Sequence, residues 1–129
     1  MSMPSDLAAP PSPRRVLLVD DDAPLREAVE RGLAKAGFHV TAAGSGAEAL
    51  EVARTLRLDA AIIDVMLPDA GGLGLARELR RDPRLASLPV LFITALSLPV
   101  VMQALAPAPV LLKPFTYRQL PGVLRQVVG

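Results

Sequence analysis

The sequence contains no cysteine. Disulfides and thiolate metal sites are therefore excluded, which agrees with an intracellular setting. Aromatic residues make up only 3% of the chain while 51% is hydrophobic, so aliphatic side chains must fill the core. There is no strong charge of either sign: 14 basic against 13 acidic residues, net +1, with a pI near 8.3. A nucleic-acid surface normally needs a clustered basic stripe, and none is visible. Residues 1–13, MSMPSDLAAPPSP, lack the basic start and apolar core of a signal peptide. Their prolines predict a flexible, extended N-terminal tail. Residues 85–112 carry no charge, yet Pro89, Pro99, Pro107 and Pro109 interrupt them. The longest proline-free piece there is nine residues, 90–98, against roughly 20 for a membrane-spanning helix. A membrane span is not expected. The one histidine, His39, stands apart from the acidic residues described below and receives no catalytic role.

What is present is a repeated alternation. With 129 residues the chain suits one domain. Apolar runs at 15–19, 38–42, 60–63, 89–94 and 110–113 read as strands. Helical spacing follows each. Asp22 and Pro24 open the first helix, and Gly37 closes it. Ser45 caps the second. The third runs from about Gly72 to Arg80 and breaks at Asp82-Pro83. The fourth, near 99–106, should be short, and the last covers 116–128, with Pro121-Gly122 weakening its first turns. Continuous apolar strands alternating with helices imply a parallel sheet covered on both faces. The expected fold is α/β and flavodoxin-like: a doubly wound five-stranded parallel sheet, order 2-1-3-4-5, with helices on both faces. The domain would span residues 14–129.

That order gathers Asp20, Asp21 and Asp64 at one sheet edge, flanked by Thr94 and Lys113. Three neighbouring carboxylates raise one another's pKa unless a cation neutralises them. The available ligands are hard oxygens, so the fitting ion is Mg²⁺, or Mn²⁺ in its place. One carboxylate, one metal, one lysine and one hydroxyl suit phosphoryl transfer onto the carboxylate. A metal site that only stabilises the fold is the plainer alternative.

VLLVDDDAPLR, IIDVMLPDAGG, ITA and LLKPF together resemble the four signatures of the receiver domain of two-component response regulators. The resemblance implies a cytoplasmic signalling receiver rather than an enzyme, catalysing only its own phosphorylation and slow dephosphorylation. Asp64 would accept a phosphoryl group from a sensor histidine kinase or a histidine phosphotransfer protein. Asp21 would ligate Mg²⁺ directly and Asp20 directly or through water. Asp64 and the backbone carbonyl of Met66 would complete the ligands. Thr94 would bind the phosphoryl group and Lys113 would pair with it. The resemblance also implies a cis peptide between Lys113 and Pro114. A downstream protein would be reached by contact; no helix-turn-helix or basic recognition helix is visible after the receiver pattern.

The sequence departs from the family pattern in three places. Val110 stands where an aromatic switch residue is usual. The segment from Thr94 to Lys113 is proline-rich, and Leu98, Val101, Met102 and Leu105 on its short helix suggest a homodimer or partner surface. Met66 and Leu96 offer no hydrogen bond to an attacking water, which predicts slow autodephosphorylation. Two other readings compete. Gly44, Gly46 and Ala49 fit G-x-G-x-x-A, the outline of a dinucleotide-binding turn. The other is a receiver-like interaction module that takes no phosphate.

Overall fold

The computed structural model describes residues 14–69, 71–116 and 118–128, so the expected N-terminal tail at 1–13 lies outside the described residues. Five strands and five helices alternate. They are β1 (Arg15–Val19), α1 (Ala23–Lys35), β2 (His39–Ala43), α2 (Gly46–Thr55), β3 (Ala60–Asp64), α3 (Gly71–Arg80), β4 (Val90–Thr94), α4 (Pro99–Leu105), β5 (Val110–Leu112) and α5 (Gln119–Val128). A 3₁₀ turn, Pro83–Leu85, separates α3 from β4. All strand pairs are parallel, in the order β2-β1-β3-β4-β5. This is the fold and the strand order the alternation predicted.

Successive strand residues point to opposite faces of the sheet. Leu17, Val19, Ala61, Ile63, Val90 and Phe92 pack under α2, α3 and α4. Val16, Leu18, Ala60, Ile62, Leu91 and Ile93 pack under α1 and α5. Both faces are covered, so β3 and β4 are buried along their whole length. The caps behave as their chemistry requires. The Asp22 carboxylate accepts from the Leu25 amide at 3.2 Å, and Ser45 Oγ from the Glu48 amide at 3.2 Å. Gly37 leaves α1 at φ +94°, a conformation other residues resist.

Two boundaries and one helix face bear on the sequence expectation. Phe38 joins the core but not the ladder, and β2 starts at His39. Helix α5 starts at Gln119 rather than Thr116. Pro121 then falls in its first turn, where an amide has no helical partner to lose. The helix face is that of α4. Leu98, Val101, Met102 and Leu105 recur at three- and four-residue intervals, the spacing of one helix face. That face turns inward: Leu105 is buried, and Val101 and Met102 pack on the core. Of the four, only Leu98 is exposed, beside Val100. The face that suggested a dimer surface is thus open to solvent only in part, at Leu98 and at the half-buried Val101 and Met102.

Candidate functional site

Four of the five strands end on, or run directly into, a polar group, where the apolar run stops at the edge of the sheet. Asp20 follows β1, Asp64 ends β3, Thr94 ends β4 and Lys113 follows β5. The Lys113 amide donates to the Thr94 carbonyl at 2.8 Å, which fixes where its side chain leaves the sheet. Its Nζ then bridges two carboxylates, Asp20 Oδ2 at 2.9 Å and Asp64 Oδ2 at 2.7 Å. Asp64 Oδ1 accepts from the Met66 amide at 2.8 Å, and Asp20 Oδ1 from the Asp22 amide at 3.0 Å. Thr94 is fully buried, and its hydroxyl oxygen accepts from the Leu96 amide at 3.0 Å. The hydroxyl proton is left to donate. The Lys113–Pro114 peptide is cis, as the resemblance implied.

Electrostatics at the site are set by burial. Asp20 is completely buried, and this desolvation lifts its carboxyl above the usual range. The Asp22 amide and Lys113 oppose that shift, while the nearby Asp64 charge adds to it. Burial pulls Lys113 down, but its bonds to Asp64 and Asp20 outweigh burial and hold it above the ordinary lysine value.

Asp20, Asp21 and Asp64 each offer a carboxylate oxygen, all within 4.8 Å of one another. Asp21 is the exposed member. Three ionised carboxylates against one ammonium leave two negative charges, which one divalent cation would balance. Oxygen-only donors, one of them solvent-facing, fit Mg²⁺ with waters retained. The sequence-predicted residues Asp20, Asp21, Asp64, Thr94 and Lys113 are thus brought to one edge. Met66 reaches it through its backbone, and its side chain is 58% exposed. A cavity of about 320 Å³ opens beside Lys113, lined by Asp22, Leu25, Ala95, Pro114 and Phe115.

The dinucleotide outline fails on a contact the sequence could not show. The Asp69 carboxylate sits at the N-terminus of α2, accepting from the Gly46 and Ala47 amides at 3.1 Å each. Glu48 takes the Gly44 amide at 3.2 Å. The chain's own carboxylates occupy the amides a pyrophosphate would need. Arg26 also went unpredicted: its Nη1 donates to the Asp20 carbonyl at 2.7 Å. Its only signal in the sequence was its place one turn after Asp22. Asp69 had none, since its partners lie more than twenty residues earlier.

Comparison with known proteins agrees with this geometry. Residues 16–125 match the response regulator receiver domain family. The chain belongs to that family. It is 43% identical over 84 residues to the transcriptional regulatory protein GltR of Pseudomonas aeruginosa, covering 65% of this chain and 35% of GltR. It is also 43% identical over 83 residues to the probable transcriptional regulatory protein TcrX of Mycobacterium tuberculosis, covering 64% of this chain and 35% of TcrX. The chain thus spans about a third of the length of these curated relatives. Among solved structures, Vibrio cholerae chemotaxis protein CheY4 superposes with a TM-score of 0.85 at 31% identity, over 89% of this chain and 98% of CheY4. The receiver domain of the sensor histidine kinase PA1611 from P. aeruginosa gives 0.81 at 28% identity, over 91% and 98% of the two chains. That structure is described as having a magnesium ion coordinated in its active-site cleft.

Proposed function

We propose that this domain accepts a phosphoryl group on Asp64 and signals through protein contact in the phosphorylated state. The observation that carries the proposal is the Lys113 ammonium held between Asp64 and Asp20 at the sheet edge, with the Thr94 hydroxyl on the adjoining strand. Asp64 is the nucleophile. One of its carboxylate oxygens bonds to phosphorus while the bond from phosphorus to the donor's imidazole nitrogen breaks. The imidazole leaves and takes up a proton, and Asp64 becomes a mixed anhydride, an aspartyl phosphate. Lys113 exchanges a carboxylate for a phosphoryl oxygen, and Thr94 donates its hydroxyl to another. Asp20, Asp21, Asp64 and the Met66 carbonyl would hold the metal, Mg²⁺ or Mn²⁺ in its place. When bound it neutralises charge on the phosphoryl oxygens.

The donor is a sensor histidine kinase or a histidine phosphotransfer protein, which places the reaction in the cytoplasm. The downstream partner is a protein. Treatment with acetyl phosphate and Mg²⁺ tests the assignment by intact mass. One phosphoryl adduct is expected, absent without Mg²⁺ and absent in Asp64→Asn. A folded wild-type chain that gains no adduct would point to a phosphate-independent interaction module.

Loss of the phosphoryl group should be slow. An attacking water needs a hydrogen-bonding side chain beside the anhydride, and Met66 and Leu96 supply none. Met66→Gln is expected to shorten the lifetime of the adduct several-fold. Decay of the wild-type adduct within seconds would refute this.

A further inference from the structure

We infer that Asp69 is a positioning residue for the phosphoacceptor, tying the loop after Asp64 to the N-terminus of α2. This rests on Asp64 being the acceptor. The loop has two ends to secure. At one end, Met66 donates its amide to Asp64 Oδ1 at 2.8 Å and so sets that carboxylate's rotation, leaving Oδ2 to Lys113 at 2.7 Å. At the other end, Asp69 spreads its two oxygens over the Gly46 and Ala47 amides, 23 and 22 residues away, at 3.1 Å each. These amides start a helix, where their dipoles favour a carboxylate.

Glycine at position 46 leaves room for this carboxylate, which a side chain would push back by a few tenths of an ångström. A Cβ there would meet Asp69 Oδ1 at 3.2 Å and Oδ2 at 3.3 Å. The neighbouring amides are already served within α2's own approach. Ser45 takes the Glu48 amide and Glu48 takes that of Gly44. The Ser45 cap on the Glu48 amide is therefore made without Asp69. Asp69 adds a long-range link between the helix and the loop that aims Asp64. Phosphoryl transfer depends steeply on aim, since a misplacement of about 1 Å can cost on the order of 100-fold.

The test compares Asp69→Ala, Gly46→Ala, the double variant and Ser45→Ala in the intact chain. Two readouts are used: hydrogen exchange at the Met66 amide, and the rate of adduct formation from acetyl phosphate and Mg²⁺. Asp69→Ala is expected to speed Met66 exchange at least about tenfold and to slow adduct formation roughly 10- to 100-fold. Gly46→Ala should act in the same direction. Combined with Asp69→Ala it should add nothing, because the carboxylate it crowds is gone. Ser45→Ala should lower thermal stability through the lost cap and leave both readouts unchanged.

Unchanged Met66 exchange in folded Asp69→Ala would overturn the tether, as would independent, multiplying effects of Gly46→Ala and Asp69→Ala. If Asp69→Ala does not fold, Asp69→Asn, which keeps one acceptor oxygen, should give intermediate values. A wild-type chain that takes no phosphoryl group would sink the acceptor assignment, while the exchange data would still decide the tether.

Discussion

Alanine at position 72 is expected to destabilise the domain by at least about 3 kcal/mol, roughly 10 °C in Tm, and to abolish phosphoryl acceptance. Gly72 sits at the start of α3 with its amide bonded to the Val65 carbonyl at 2.9 Å. A Cβ there would run into the carbonyl oxygen of Asp64 and come within 2.8 Å of Val65 Cα. Both obstacles are backbone, so no side chain can swing away. Either α3 moves off the sheet or the end of β3 moves, and in the second case Asp64 moves with it. Thermal unfolding together with the acetyl phosphate assay checks the result. A Gly72→Ala chain with wild-type Tm and a wild-type adduct would show that the close approach is absent in solution.

Lys113→Met is expected to produce the second large effect, and one that depends on metal. Methionine keeps much of the apolar stem but removes the ammonium. Asp20 is fully buried and Asp64 nearly so, and they would then face each other without a cation. Stranding buried carboxylates costs several kcal/mol in closed interiors. Lys113 is partly open to solvent, so about 2–3 kcal/mol is the reasonable figure here. Added Mg²⁺ should restore most of that loss, because an ion bound only by the folded state stabilises it. Phosphoryl acceptance should stay impaired at any Mg²⁺ concentration, since the metal does not replace the lysine's contact with the phosphoryl group. Denaturant melts with and without Mg²⁺ decide the matter. Equal loss of stability in both conditions would mean that the three carboxylates hold no cation.

The lysine also has a pH signature. Its folded pKa lies above the unfolded value of 10.5. Its contribution is therefore complete below that value and fades only as the pH rises through the folded pKa. Stability from this ion pair should be flat across neutral pH.

The polar strand ends were legible in the sequence for a simple reason. Asp20, Asp64 and Thr94 each close a run of buried apolar residues, Lys113 closes a shorter, half-exposed one, and a parallel sheet aligns all such ends. Right-handed crossovers leave few strand orders, and the flavodoxin-like one is among them. Helix starts were less legible. Thr116 read as a helical start, but α5 begins at Gln119, where Pro121 costs no hydrogen bond. The apolar face of α4 read as an excess needing a partner, because pattern alone cannot say how much of a short helix the core will take. Leu105 is buried, and Val101 and Met102 are half-buried against the core. Asp69 was least legible of all. After Pro68 it looks like an ordinary turn residue, and its role exists only because the fold brings Gly46 and Ala47 against it.

The proposed function turns on one covalent bond, between a carboxylate oxygen of Asp64 and phosphorus. Borohydride reduction followed by peptide mapping reads that bond directly, because reducing an aspartyl phosphate leaves homoserine in its place. After loading with acetyl phosphate and Mg²⁺, homoserine is expected at position 64 alone, and nowhere when Mg²⁺ is left out. An unreduced Asp64 in the folded, donor-treated chain, or homoserine at any other aspartate, would contradict the assignment.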